Sequence, residues 1–284
     1  MKITECPRDA MQGIKQFIPT DLKVEYLNQL LKVGFDVIDF GSFVSPKAIP
    51  QLQDTAEVLK GLDLSATRSK LLAIIANTRG AEDACKFEEI KYLGFPFSIS
   101  ETFQQRNTNS SIAESLKRVE EIQNLCINNK KEMVVYISMA FGNPYGDVWN
   151  SDIVINWTKK ISEMGIKTIA LADTIGCSTP DNITYLFSNL IPEFKNVQIG
   201  AHLHSTKQKA IEKIEAAYKS GCRSFDVAIH GFGGCPMAAE DLTGNMATED
   251  LELYAKNNSV ELNLNKTELE KSYELSWKVF NNYH

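Results

Sequence analysis

Eight short, β-rich apolar runs alternate with longer amphipathic segments along the chain, and this alternation limits its fold more than any single motif does. The runs begin near Lys2, Asp36, Leu71, Phe95, Glu132, Lys167, Val197 and Arg223, and the segments between them carry helical periodicity, as over 112–125 and 206–219. Repeated strand–helix units build a parallel sheet. A spacing of about 30 to 35 residues per unit matches a (β/α)8 TIM barrel, whose usual size is about 250 residues. Helix starts carry the expected signals at Thr20-Asp21, Ser110-Ser111 with Glu114, Ser151-Asp152 and Thr179-Pro180-Asp181. The rival is an open doubly wound sheet, but no G-x-G-x-x-G follows the first run, which weakens its dinucleotide-binding form. With no linker or low-complexity stretch, the pattern predicts an α/β chain with a single barrel domain over 1–284. Residues 246–284 form additional helices packed on it, the last running from Thr267 to His284.

Composition narrows the function classes. With 43% hydrophobic residues over 284 positions the chain can bury a full core. Lys and Arg total 30 against 36 Asp and Glu, a net charge of −6, so no overall basic field attracts nucleic acid or an anionic membrane. A polyanionic ligand must therefore meet a local basic patch. Six cysteines, at 6, 85, 126, 177, 222 and 235, form no C-x-x-C pair, which fits a reducing, cytoplasmic setting better than a secreted disulfide framework. No signal-peptide pattern opens the chain and no run nears about 18 apolar residues, so the expectation is a soluble, unprocessed protein.

Active sites of such barrels lie at the carboxyl ends of the strands, and nearly every predicted strand ends in a polar residue. These are Arg8-Asp9, Asp39, Asn77, Ser100-Glu101, Ser138, Asp173, His202 with His204, and a Gly-rich segment leading to Cys235 and Asn245. Any one of them alone reads best as a helix cap; together they are harder to dismiss. Within Ala201-His202-Leu203-His204 the two imidazoles fall at i and i+2 of a strand and so project to one face. As metal ligands they need an anion, for which Asp9, Asp39, Asp173 and Glu101 are candidates. A His and carboxylate set without thiolates suits Mg2+ or Mn2+, while the residue types leave Fe2+ and Zn2+ open. Gly231-Phe232-Gly233-Gly234-Cys235-Pro236 reads as a mobile loop, whose thiol is either a small buried hydrophobe or an acid or nucleophile carried over the mouth.

Seven segments extend this reading. They are Pro7 to Gln12, Ser42 to Lys47, Asn107 to Ser111, Ala172 to Gly176, His202 to His204, Gly233 to Pro236 and Gly244 to Asp250. Through them the sequence resembles the 3-hydroxy-3-methylglutaryl-CoA lyases, within the metal-dependent barrel group that also holds isopropylmalate and homocitrate synthases. The Asp-Thr-Ile-Gly and His-x-His pieces belong to the whole group. Gly-Gly-Cys-Pro followed by Gly-Asn-x-Ala-Thr-Glu-Asp is characteristic of the lyases. The resemblance implies that Asp9, His202, His204 and Asn245 bind a divalent cation, that Arg8 holds the thioester carbonyl and that Cys235 is the loop acid. Asp39, Asp173 and Glu249 would be supporting carboxylates. Three positions depart from the commoner pattern: Asp39 stands for a Glu, Ala10 for a Gly and Ser205 for an Asp.

The resemblance further implies a retro-Claisen cleavage of an acyl-CoA in leucine degradation or ketone-body production, by a homodimer. Three alternatives stay open on the sequence: an acetyl-CoA-dependent condensing synthase, a metal-dependent hydrolase or oxygenase, and an inactive barrel that acts as a binding protein.

Overall fold

The computed structural model describes residues 1–234 and 243–281. Eight parallel strands close on themselves in sequence order, as the alternation predicts. They are β1 (Lys2–Glu5), β2 (Val37–Ser42), β3 (Lys70–Ile74), β4 (Ile90–Ser98), β5 (Glu132–Ser138), β6 (Thr168–Ala172), β7 (Gln198–His202) and β8 (Ser224–Val227). The helices are α1 (Pro7–Gln12), α2 (Thr20–Val33), α3 (Thr55–Lys60), α4 (Thr78–Cys85), α5 (Glu101–Thr108) and α6 (Ile112–Asn128). They continue with α7 (Ser151–Glu163), α8 (Pro180–Glu193), α9 (Ala210–Lys219), α10 (Thr248–Asn257) and α11 (Lys266–Phe280). No helix among the described residues is long and apolar enough to cross a membrane.

Alternation along each strand divides the interior in two. Outward residues such as Ile3, Ile38, Phe95, Ile137 and Leu171 pack against the helices in one continuous core. Inward residues fill the lumen, where Val37, Leu72, Val134, Tyr136 and Ala170 form a separate apolar layer. Below that layer the lumen is polar: Lys2 Nζ donates to Gln198 Oε1 at 3.3 Å and Gln198 Nε2 to Ser224 Oγ at 2.9 Å. The strand ends above it carry the candidate residues.

The capping boxes at Ser111 and Glu114 and at Thr179 and Asn182 are both formed. Thr20 is the first residue of α2 after Pro19 rather than its cap, and its hydroxyl bonds Asp54 instead. Asn150, one residue before the expected Ser151, caps α7. β4 starts at Ile90 rather than Phe95. Its first residues include the half-buried Lys91 and Tyr92, with Lys91 paired to Glu132 at 2.7 Å, so the apolar signal begins late. α9 starts at Ala210, after a turn that uses up the expected first residues from Thr206. The last helix is α11, held to α2 by an edge-on Tyr26–Phe280 contact and by Gln29 Nε2 donating to Glu268.

Candidate active site

Pro7, at the first turn of α1, starts a six-residue helix directly after β1. The helix brings Arg8, Asp9 and Gln12 together, because residues three and four apart share a face. Gln12 Nε2 donates to Asp9 Oδ1 at 2.6 Å, and Arg8 Nη1 donates to Asp9 Oδ1 at 3.0 Å and to Gln12 Oε1 at 2.8 Å. The other edge of the guanidinium faces β2, where Nε and Nη2 both donate to Asp39 Oδ2, at 2.9 and 2.6 Å. A bulge between Asp39 and Gly41 shapes β2 there, and Gly41 is required because a Cβ would lie 2.5 Å from the Thr55 methyl. Arg8 and Asp39 are both buried. Burial pushes the Asp39 carboxyl up, to about 6, against the pull of Arg8, while the two carboxylates hold Arg8 firmly in its charged form.

His202 ends β7 and His204 follows two residues later, with Leu203 buried on the opposite face. His202 Nδ1 lies 3.1 Å from Asp226 Oδ2 on β8, which leaves Nε2 for the other side of the ring. Burial lowers the His202 pKa, but the hydrogen bond and charge of Asp226 outweigh it and the net shift is upward. His204 is the reverse case: burial, reinforced by neighbouring His202, takes it down to about 4. Both of its ring nitrogens are buried without a hydrogen-bond partner among the described residues.

Donor atoms of Asp9, His202 and His204 lie within 4.8 Å of one another. Burial raises the Asp9 pKa, but Arg8, both imidazoles and the hydrogen bond from Asn245 bring it below the usual carboxylate range, so Asp9 persists as an anion. Asn245 pairs with His204 through an antiparallel bridge, and its Nδ2 donates to Asp9 Oδ2 at 2.6 Å and to the Phe232 carbonyl at 2.9 Å. Buried imidazole nitrogens without partners are costly unless an acceptor of their lone pairs completes them. A divalent cation is such an acceptor, and the donor set fits one.

Behind the histidines, Asp173 meets Lys213 from α9 at 2.9 Å and accepts from Ser178 Oγ and its backbone N–H. Lys213 Nζ also donates to the carbonyls of His204 at 2.8 Å and Gly176 at 3.1 Å. Asp173 thus braces the histidine backbone from behind. Above the site a cavity of about 290 Å³ opens, with Val44, Ala48, Ile49 and Phe103 on its apolar wall and Arg8, Asp9, His202 and His204 among its polar lining. Gly233, at φ +93°, lies so close to Asp9 that a Cβ would sit 2.7 Å from the Asp9 carbonyl oxygen and 2.8 Å from Asn245 Nδ2. At Gly233 the chain therefore packs directly on the backbone of Asp9 and on the Asn245 amide.

The structure brings Arg8, Asp9, Asp39, His202, His204 and Asn245 into one cluster. It places Asp173 one layer behind. Glu249 is taken up by His230, whose Nδ1 lies 2.5 Å from Oε1 and whose backbone N–H donates to Oε2 at 3.0 Å. Glu101 leaves the candidate set, because it is exposed and accepts the Ile112 N–H. Asn77 and Ser100 are helix caps, and Cys235 lies outside the described residues. Asp226, Gln12 and Lys213 were missed as functional residues. Asp226 falls on the inward register of β8 with Ser224, and Lys213 interrupts the buried face Ala210, Ile214, Ala217 of α9, so both left a periodicity signal.

The HMGL-like family model matches residues 3–275. The cytoplasmic 3-hydroxy-3-methylglutaryl-CoA lyase of Rattus norvegicus is 35% identical over 259 residues, covering 88% of this chain and 73% of the relative. The hydroxymethylglutaryl-CoA lyase of Bacillus subtilis is 34% identical over 245 residues, covering 86% and 81%. Among solved structures, an HMG-CoA lyase from Acinetobacter baumannii in complex with coenzyme A and 3-methylmalate superposes with a TM-score of 0.91 at 29% identity, covering 99% of this chain and 91% of that one. Hydroxymethylglutaryl-CoA lyase from Pseudomonas aeruginosa gives 0.89 at 30% identity, covering 98% and 92%.

Proposed function

The chain belongs to the HMGL-like family, and we propose that it is a carbon–carbon lyase that cleaves 3-hydroxy-3-methylglutaryl-CoA to acetyl-CoA and acetoacetate. One observation carries this reading: Asp9, His202 and the partnerless His204 converge on a single point beside a braced arginine at the base of a cavity. Asp9, His202, His204 and Asn245 would hold a divalent cation, and the hard carboxylate and amide oxygens favour Mg2+ or Mn2+. When bound, the cation supplies Lewis acidity toward the substrate's tertiary hydroxyl.

Asp9 accepts the hydroxyl proton. Its pKa is held below the ordinary range, so it is a weak base that takes the proton only from an acidified hydroxyl. Breaking the carbon–carbon bond leaves the electron pair as a thioester enolate and turns the alcohol carbon into the ketone of acetoacetate. Arg8 stabilises the enolate oxygen, and its guanidinium keeps its own protons while doing so. Asp39 orients Arg8 through two hydrogen bonds to one oxygen. Cys235, whose thiol class titrates near about 8.5, returns a proton to the enolate carbon. Asp173 positions His204 through Lys213, and Glu249 secures the start of the Gly-rich segment through His230.

An acyl-CoA is therefore the substrate partner, and neither nucleic acid nor a membrane takes part. We place the protein in the cytoplasm, in leucine degradation, as a homodimer of single-domain chains. Incubating it with Mg2+ and 3-hydroxy-3-methylglutaryl-CoA should release acetoacetate and acetyl-CoA in equal amounts. Condensation of acetyl-CoA with a 2-ketoacid in a parallel reaction, without cleavage in the first, would assign it to the synthases instead.

A further inference from the structure

Below the rim a second donor set shares His202. Cys6, His202 and Asp226 bring a thiol sulfur, a ring nitrogen and a carboxylate oxygen within 4.8 Å of one another. They come from three neighbouring strand ends, because β8 pairs with both β1 and β7. Cys6 is 1% exposed, and its thiol meets the Thr4 carbonyl oxygen at 3.7 Å, a weak contact that leaves the sulfur available.

We propose that Cys6, His202 and Asp226 form a second site, selective for a thiophilic divalent cation such as Zn2+ or Cd2+, and that filling it disables the rim set. The donors are those of a zinc site with three protein ligands, and thiolate discriminates against Mg2+. Binding breaks the Cys6 S–H bond, releases that proton to solvent and forms a sulfur–metal bond. His202 gives the cation a ring nitrogen. No group is oxidised or reduced, and one thiolate plus one carboxylate neutralise the dication inside the lumen. Both donor sets draw on the same His202 ring, and holding it against Cys6 and Asp226 takes it from Asp9 and His204. The two sites therefore oppose each other, and the weakening is reciprocal. The inhibitory consequence rests on the cation-binding reading of the rim; the inner site does not.

Cd2+ titration of the wild type and Cys6→Ser tests this through the ultraviolet sulfur-to-cadmium charge-transfer band. The five other cysteines are common to both proteins, so the difference isolates Cys6. The wild type should show one thiolate more, and calorimetry should show Cd2+ binding about tenfold or more weaker in the variant. Cd2+ should also release Mn2+, followed by electron paramagnetic resonance, from the wild type at concentrations where Cys6→Ser retains it. Cys6→Ala is the second variant, and Mn2+ affinity shows that each is folded. Equal bands in wild type and variant overturn the site; equal Mn2+ release overturns the antagonism. A Cys6-dependent band in a protein that fails to cleave the thioester would uphold the inner site and reject the lyase reading.

Discussion

Asp39→Asn probes the arginine brace without changing side-chain shape. In the wild type, Arg8 gives Nε and Nη2 to one Asp39 oxygen at 2.9 and 2.6 Å and Nη1 to Asp9 and Gln12. An amide oxygen still accepts from the charged guanidinium but lacks the carboxylate's own charge, so the ion-pair attraction is lost, and the amide nitrogen repels the fork. The loss in transition-state stabilisation is about 2 to 4 kcal/mol, because the guanidinium is drawn toward Asp9 and away from the enolate oxygen. That corresponds to a fall in kcat of about 30- to 1000-fold. KM should move little, since Asp39 does not border the cavity. The assay is steady-state release of acetoacetate, with Mn2+ affinity and thermal unfolding measured on the same preparation to separate orientation from folding. A kcat within about threefold of wild type, in a folded protein that binds Mn2+ normally, would refute the brace.

Three other outcomes are expected. Cys235→Ala should lose most of kcat while Mn2+ affinity is retained, and unchanged turnover would reject the thiol as the proton donor. Lys213→Met should weaken Mn2+ binding about 10- to 100-fold, because it releases the His204 carbonyl and strands Asp173; an unchanged calorimetric Kd would contradict that. Glu5 is fully buried and its carboxyl is raised to about 8 from 4.5, mainly by burial, against bonds from Thr248 and Ile229. The folded state therefore keeps a proton that the unfolded chain gives up. Stability is greatest below pH 4.5 in this respect and declines by about 1.4 kcal/mol per pH unit up to about 8. Glu5→Gln should flatten the fall of Tm across that window, and a parallel decline in both proteins would show that Glu5 is not its source.

The barrel was legible because burial on both faces writes each strand as a compact apolar run, and the helices between carry a different period. β4 was misjudged where the ion-paired Lys91 and the half-buried Tyr92 dilute that run. The imidazole pair could be read from spacing alone, since i and i+2 on a strand must share a face. Its support could not. Asp226 and Lys213 act from different elements: the register between β7 and β8 sets Asp226 beside His202, and the packing of α9 behind β7 sets Lys213 against the His204 carbonyl. Glu101 looked like a ligand because a carboxylate at a strand end is ambiguous; hydrogen bonding to the Ile112 N–H resolves it as structural. Cys6 drew notice only in the cysteine count, because a lone thiol in sequence shows nothing of its neighbours.

The central claim is that one divalent cation sits among Asp9, His202 and His204. Anomalous diffraction from crystals grown with Mn2+ tests it most directly. A single strong peak should lie within bonding distance of the Asp9 carboxylate and both imidazoles, and it should vanish in His204→Ala. A peak elsewhere, or none at those three side chains with Mn2+ at saturating concentration, would contradict the account.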